Sequence, residues 1–277
     1  MGVETTTAEL PLHAEDLASP VLRERTRARW VGDFLFAAVA NVIVFNILFQ
    51  LYKMVRRSFI QRGERIGFEH AQQIINLEKR VHLYKELDLQ RWVLSLDSSA
   101  MTFLSYVYSA FMWIFFACCV VAIAFRPRVF PRYRRVFILS MLIALPWYAI
   151  YPLAPPRFMT GEGFIDAAAI YGPNDITKTP LIQANQYAAM PSMHVGWTTI
   201  GAFMLAMALP WYKIGWIIGT LLVALMCTTV MATGNHWWLD FVGGWIVIAL
   251  AFTFARILPE WVDIPWLPPR TRWASTG

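Results

Sequence analysis

Charge is what this chain has least of. Only 15% of its 277 residues are charged, against 57% that are hydrophobic, whereas a soluble domain carries roughly a quarter charged residues. That deficit argues against a soluble globular protein, and the same apolar content excludes disorder. Cysteine is nearly missing. Three residues, two of them adjacent inside an apolar run (Cys118, Cys119), cannot build a disulfide framework and read as packing groups. No internal repeat is evident. No apolar core follows an early basic start, so residues 1–29 do not read as a cleaved leader. They read as a flexible tail, as do residues 261–277.

What the chain does have is long apolar runs. A membrane crossing needs ~20 mostly apolar residues to traverse a hydrocarbon core ~30 Å thick. Six segments qualify: 31–52, 100–125, 136–153, 193–211, 214–233 and 237–257. The expected fold is therefore all-α and polytopic, with one membrane domain over residues 30–260. Trp30, Trp147, Trp211, Trp237 and Trp261 stand near span ends, as interfacial anchors do. The connection RPRVFPRYRR carries Arg126, Arg128, Arg132, Arg134 and Arg135, which places it in the cytoplasm by the positive-inside rule. Six spans then put both termini inside, in agreement with Arg23, Arg25, Arg27 and Arg29. Segment 53–99 would lie outside despite nine Lys and Arg, partly balanced by six acids. Within it Ile74, Leu77, Val81 and Tyr84 recur at helical spacing, so the insert 54–97 is expected to hold one or two amphipathic helices on the membrane surface. The net charge of +6 sits in these membrane flanks. It points to topology and anionic headgroups rather than to nucleic acid.

Few ionisable residues remain after flanks and tails are removed. Of five histidines, His13, His70 and His82 fall in polar surroundings and read as solvated. His194 and His236 stand at span ends, where an ionisable group is a functional candidate. They lie 42 residues apart in the chain, about two crossings of ~20 residues plus a turn, so both return to one membrane face. Arg157 ends the third span on that face. His236 and Asp240 share a helical face at i, i+4, and a carboxylate there fixes the imidazole tautomer and raises its basicity. Pro191 and Ser192 mark a helix start before His194, where free backbone N–H groups suit an anion. The site so outlined is one for phosphate or carboxylate. A His/His/Asp metal triad is the alternative chemistry.

The residues that carry this pattern resemble a known family. AMPSMHVGW and TGNHWWLDFVGGW resemble the second and third motifs of the type 2 phosphatidic acid phosphatase superfamily, and YPLAPPRFM resembles its Arg-bearing first motif. The likeness covers roughly residues 95–257, and its wording is closest to the inositol-phosphoryltransferase branch that makes inositol phosphorylceramide. The resemblance implies an integral membrane enzyme acting on an amphiphilic lipid phosphate or phosphodiester through a phosphohistidine. His236 is then the nucleophile, Asp240 its orienting carboxylate, and His194 the general acid and base. Arg157 and Ser192 bind phosphate, and neither metal nor cofactor is required. The implied site faces outward, covered by the loop 157–191. Two cations usual in the superfamily are replaced here by Ile150 and Val230. Lys178, Asn185, Gln186 and Asn235 are the candidates to substitute. The acceptor is water in a phosphatase and an alcohol such as inositol in a transferase. A non-catalytic lipid carrier and a degenerate scaffold are the rival classes.

Overall fold

The computed structural model describes residues 20–173 and 185–258, so the two outermost stretches of the expected tails and Lys178 lie outside the described residues. Helices dominate, and no strand occurs among the described residues beyond a single isolated bridge between Leu153 and Ala188. The order is α1 (Pro20–Arg57), α2 (Ile60–Arg80), α3 (Glu86–Leu96), α4 (Ser98–Phe125), α5 (Phe130–Ile150), two 3₁₀ turns (Pro156–Phe158, Thr160–Glu162), α6 (Ala167–Tyr171), α7 (Met193–Ala208), α8 (Tyr212–Ala232) and α9 (Trp238–Ile257).

Five helices are long and apolar enough to cross a membrane: α1 from Phe34, α4, α5, α8 and α9. Their outward faces are apolar. Leu35, Phe36, Val39, Ile43 and Ile47 on α1, and Ile214, Ile217 and Leu221 on α8, are exposed. A soluble protein rarely tolerates such a belt, and a bilayer requires it. The fourth expected crossing differs. Helix α7 has only 16 residues, a length of ~24 Å, short of the ~30 Å core. Ser192 caps its start and Leu209-Pro210 follow its end. Twelve of its residues are buried, and it packs against α4, α5, α8 and α9. A helix enclosed by protein need not match the thickness of the lipid.

Three other sequence-based expectations change. Helix α5 starts at Phe130 with Pro131 in its first turn, so Arg132, Arg134 and Arg135 belong to the helix rather than to a loop. Arg134 is buried and donates to Asn41 Oδ1 (3.5 Å). Helix α1 begins at Pro20, well inside the expected tail. The insert between the first two crossings is indeed two helices, α2 and α3. The packed face of α2, however, is Ala71, Ile74, Ile75 and Glu78, while Leu77 and Val81 are exposed.

The core is aromatic. Phe137 on α5 contacts Phe45 of α1 (4.9 Å between centroids), Phe115 of α4 (4.6 Å) and Trp197 of α7 (4.9 Å). Trp197 Nε1 donates to Ser140 Oγ (2.9 Å), which satisfies the ring's polar end in the dry interior. Cys118 and Cys119 are buried and unbonded to each other, in keeping with packing roles. Helices α7 and α8 approach closely through small residues. A Cβ at Gly219 would lie 2.8 Å from both Cα and Cβ of Ala202. Gly219→Leu should therefore cost about 1–3 kcal/mol by overpacking, measurable as a lowered melting temperature of the detergent-solubilised protein.

Candidate active site

Five elements end at one pole of the bundle: the C-termini of α1, α5 and α8 and the N-termini of α7 and α9. Backbone bonds tie the three sequence motifs together there. Leu153 N donates to Tyr187 O (2.7 Å), and Ala189 N donates to Leu153 O (3.2 Å). Arg157 N donates to Gly234 O (2.8 Å), and Ser192 N donates to Asp240 O (2.9 Å). Gly234 has φ +70°, and a Cβ on it would come within 3.2 Å of Arg157 Cβ, so the turn before His236 needs glycine both for its dihedral and for the approach. Trp237, expected as an interfacial anchor, is instead fully buried and donates from Nε1 to Ala154 O (3.0 Å).

His236, Asp240 and His194 form one hydrogen-bonded line. His236 Nδ1 lies 3.1 Å from Asp240 Oδ2, and His194 Nδ1 lies 3.1 Å from His236 Nε2. A carboxylate only accepts, so His236 Nδ1 carries the hydrogen and Nε2 holds the lone pair. That lone pair accepts from His194. The same Asp240 oxygen accepts from Trp237 N (2.9 Å), the reach back to the N-cap that starts α9. His194 rests on Tyr108 (4.8 Å) and Phe111 (4.1 Å) of α4. Because Asp240 and His194 occupy opposite nitrogens of His236, the three do not face a common centre, and a metal triad of these groups does not fit.

Cations border this line. The Arg157 guanidinium donates from Nη1 to Asn235 Oδ1 and pairs through Nε with Asp166 Oδ2 (3.4 Å). Asn235 in turn donates to Thr233 Oγ1 (2.8 Å), so this candidate orients Arg157. Burial, reinforced by Arg56 and Arg157, pushes the His236 imidazole down to about 3. It is neutral at any physiological pH. Ser192 is buried at the start of α7, and its Oγ accepts from Val195 N (3.5 Å).

The remaining candidates fare differently. Asn185 is buried and spends its amide on the chain: Nδ2 donates to Arg56 O (3.0 Å), and Oδ1 accepts from Tyr187 N (2.9 Å). Gln186 is exposed. His70 is not simply solvated. Its ring stacks on Tyr151 (4.2 Å), and Nδ1 bonds Pro152 O (2.6 Å), which docks α2 on the first motif. Exposed His82 agrees with expectation.

Sequence reasoning missed the role of α3. Buried Gln90 donates to Ala232 O (3.0 Å) and Ile165 O (3.1 Å) and accepts from Ile165 N (3.0 Å). Buried Glu86 accepts from Trp238 N (3.0 Å), a cap supplied from 152 residues away in the chain. The two clamp both ends of the turn that bears Asn235 and His236. The amphipathic pattern of the insert was the only signal available. It marks a packing face but not its partner.

The fold and the site thus define a polytopic helical membrane protein whose ionisable groups converge at one pole. A sequence profile described as the PAP2 superfamily matches residues 72–254, and the chain belongs to that superfamily. It is also similar to the inositol phosphorylceramide synthase catalytic subunit aur1 of Schizosaccharomyces pombe, with 27% identity over 124 residues. That match covers 41% of this chain and 27% of the relative's length. No solved structure matches the chain.

Glu78 of α2 is buried beside Glu86, and the charge of Asp240 acts on it. Burial, then the neighbouring Glu86 carboxylate, push it from the ordinary 4.5 up to about 10. A folded-state pKa above the unfolded one means stability that is present below pH 4.5 and lost as pH rises toward 10. Glu78→Gln, which stays neutral, should therefore raise the melting temperature at pH 8, and the gain should shrink as pH approaches 5. An equal effect at both pH values would contradict a neutral Glu78.

Proposed function

We propose that this chain is an integral membrane enzyme that moves a phosphoryl group from a lipid phosphate or phosphodiester through a phosphohistidine at His236. The observation that carries the reading is the Asp240–His236–His194 line, with a buried neutral imidazole whose Nε2 lone pair is held for reaction. Family membership supports lipid phosphates as the substrate class. The likeness to a synthase of inositol phosphorylceramide supports transfer to an alcohol such as inositol over transfer to water.

In the first step phosphate enters beside His236 and displaces His194 from Nε2. The incoming negative charge offsets the field of the nearby arginines and lets His194 hold a proton. His236 Nε2 forms a bond to phosphorus, the bond to the leaving oxygen breaks, and that oxygen takes its electron pair and the proton of His194. In the second step the acceptor hydroxyl gives its proton to His194 and attacks phosphorus, and the N–P bond breaks. Two displacements replace one difficult step. Asp240 stabilises the cationic ring while the N–P bond exists. Arg157 binds nonbridging oxygens, where a planar guanidinium fits two at once. Ser192 and the start of α7 supply further donors to the developing charge. These groups need no metal or cofactor for either step.

The positive-inside pattern supports an extracytoplasmic position for this pole, with both termini in the cytoplasm. Residues 30–260 form the catalytic unit. Gln186, exposed on the described part of the expected active-site loop 157–191, is available to the acceptor, and Lys178 lies outside the described residues.

Phosphate release from several lipid phosphates, with and without added inositol, separates the acceptors: product formed only with inositol marks a transferase. His236→Ala should reduce turnover to background and abolish an acid-labile phosphoryl adduct on the protein. Retained turnover would remove His236 as nucleophile. His194→Ala should lower the rate by about 10²–10⁴-fold, the scale of general acid–base catalysis. Arg157→Lys should weaken substrate use because the planar fork is lost.

A further inference from the structure

Arg56 lies at the last turn of α1, outside all three motifs and outside the span of the family profile at residues 72–254. Its guanidinium sits 4.6 Å above the Tyr148 ring, and Nη2 donates to Ala188 O (2.6 Å) and Asn185 O (3.2 Å). Tyr148 OH donates to Pro191 O (3.0 Å) and accepts from Tyr52 OH (3.0 Å). Arg56 is thus packed on the strip of chain, residues 185–191, that leads into Ser192 and His194. The backbone of Ala189, one residue beyond its anchor, contacts the His236 ring.

Two features go beyond a structural tie. Arg56 Nε is buried with no hydrogen-bond partner among the described residues. No carboxylate lies within ion-pair distance of Arg56 there, whereas Arg157 has Asp166. A guanidinium packed on the strip that leads to His194, with its Nε–H unused and no carboxylate partner among the described residues, is suited to an anion. Its charge already acts on the His236 ring, since Arg56 is among the groups that hold that imidazole low.

We propose that Arg56 is a phosphate-binding residue of this site, donating from its unused guanidinium N–H to a nonbridging oxygen opposite Arg157. The proposal rests on the phosphoryl-transfer reading above. It assigns to α1 one of the positive charges that the positions of Ile150 and Val230 do not supply. Arg56 then grips phosphate from the side of the 185–191 strip, while Arg157 grips it from the side of the 232–238 turn.

The test is thermal stabilisation of the purified full chain by inorganic phosphate, titrated at constant ionic strength. The wild type should be stabilised in a saturable way. Arg56→Gln should weaken phosphate affinity by about 10–100-fold, the range for a charge-assisted hydrogen bond. Arg56→Lys keeps the charge without the fork and should fall between the two. Unchanged affinity in Arg56→Gln, with a lower melting temperature in the absence of phosphate, would assign Arg56 a purely structural role and overturn the proposal. Where Arg56→Gln does not fold, Arg56→Lys decides, and wild-type affinity in that variant overturns the proposal. A wild type that ignores phosphate would sink the phosphoryl-transfer reading itself, and that outcome is distinct from failure of Arg56 alone.

Discussion

The bond between His236 Nδ1 and Asp240 Oδ2 is the interaction on which the pole of this bundle is organised. It sets the tautomer of one buried ring, and the same carboxylate oxygen starts helix α9 by accepting from Trp237 N. A helix start and the tautomer of His236 thus depend on one oxygen. In an apolar interior neither a free N–H nor an unpaired carboxylate is cheap, so each group holds the other in place. Where α9 begins, where His236 points and where His194 can reach are consequences of that one pairing.

Around this line the molecule separates charge by sign. Arg56 and Arg157 approach from the 185–191 strip and the 155–159 turn, on the side of the histidines that phosphate would occupy. Glu78 and Glu86 approach from α2 and α3, on the side of Asp240 and the start of α9. Glu86 caps α9, and burial keeps Glu78 protonated, so Glu78 adds little negative field to the site. Burial, reinforced by the two arginines, keeps the His236 imidazole neutral. An apolar shell strengthens both effects, because interactions between charges grow as water is excluded.

The insert between the first two crossings is part of this machinery. Through Gln90 and Glu86, α3 holds both ends of the turn that bears His236, and through His70 and Gly67, α2 meets the first motif. A segment that reads as a surface helix thus serves as the rear wall of the site. The short buried helix α7 follows the same logic. Surrounded by other helices, it is sized by the position of His194 rather than by the bilayer.

The sequence by itself determined that this is a helical membrane protein, where five of its six expected crossings lie and which ionisable residues are left over once the flanks are set aside. Hydropathy and helical period are local properties, and the i, i+4 spacing of His236 and Asp240 is local too, so their pairing was legible. The return of His194 and His236 to one face followed from counting residues through two crossings. Only the tertiary structure decided that α7 is buried and short, that Trp237 is core rather than anchor, and that Asn185 is consumed by backbone bonds. The same holds for Arg56, Glu86 and Gln90, which belong with the site although they stand far from the motifs in the chain. These are contacts across 75 to 152 residues between side chains with no mutual spacing in sequence. No periodicity encodes them, because they exist only once packing has brought the ends of α1, α3 and α9 to the same pole.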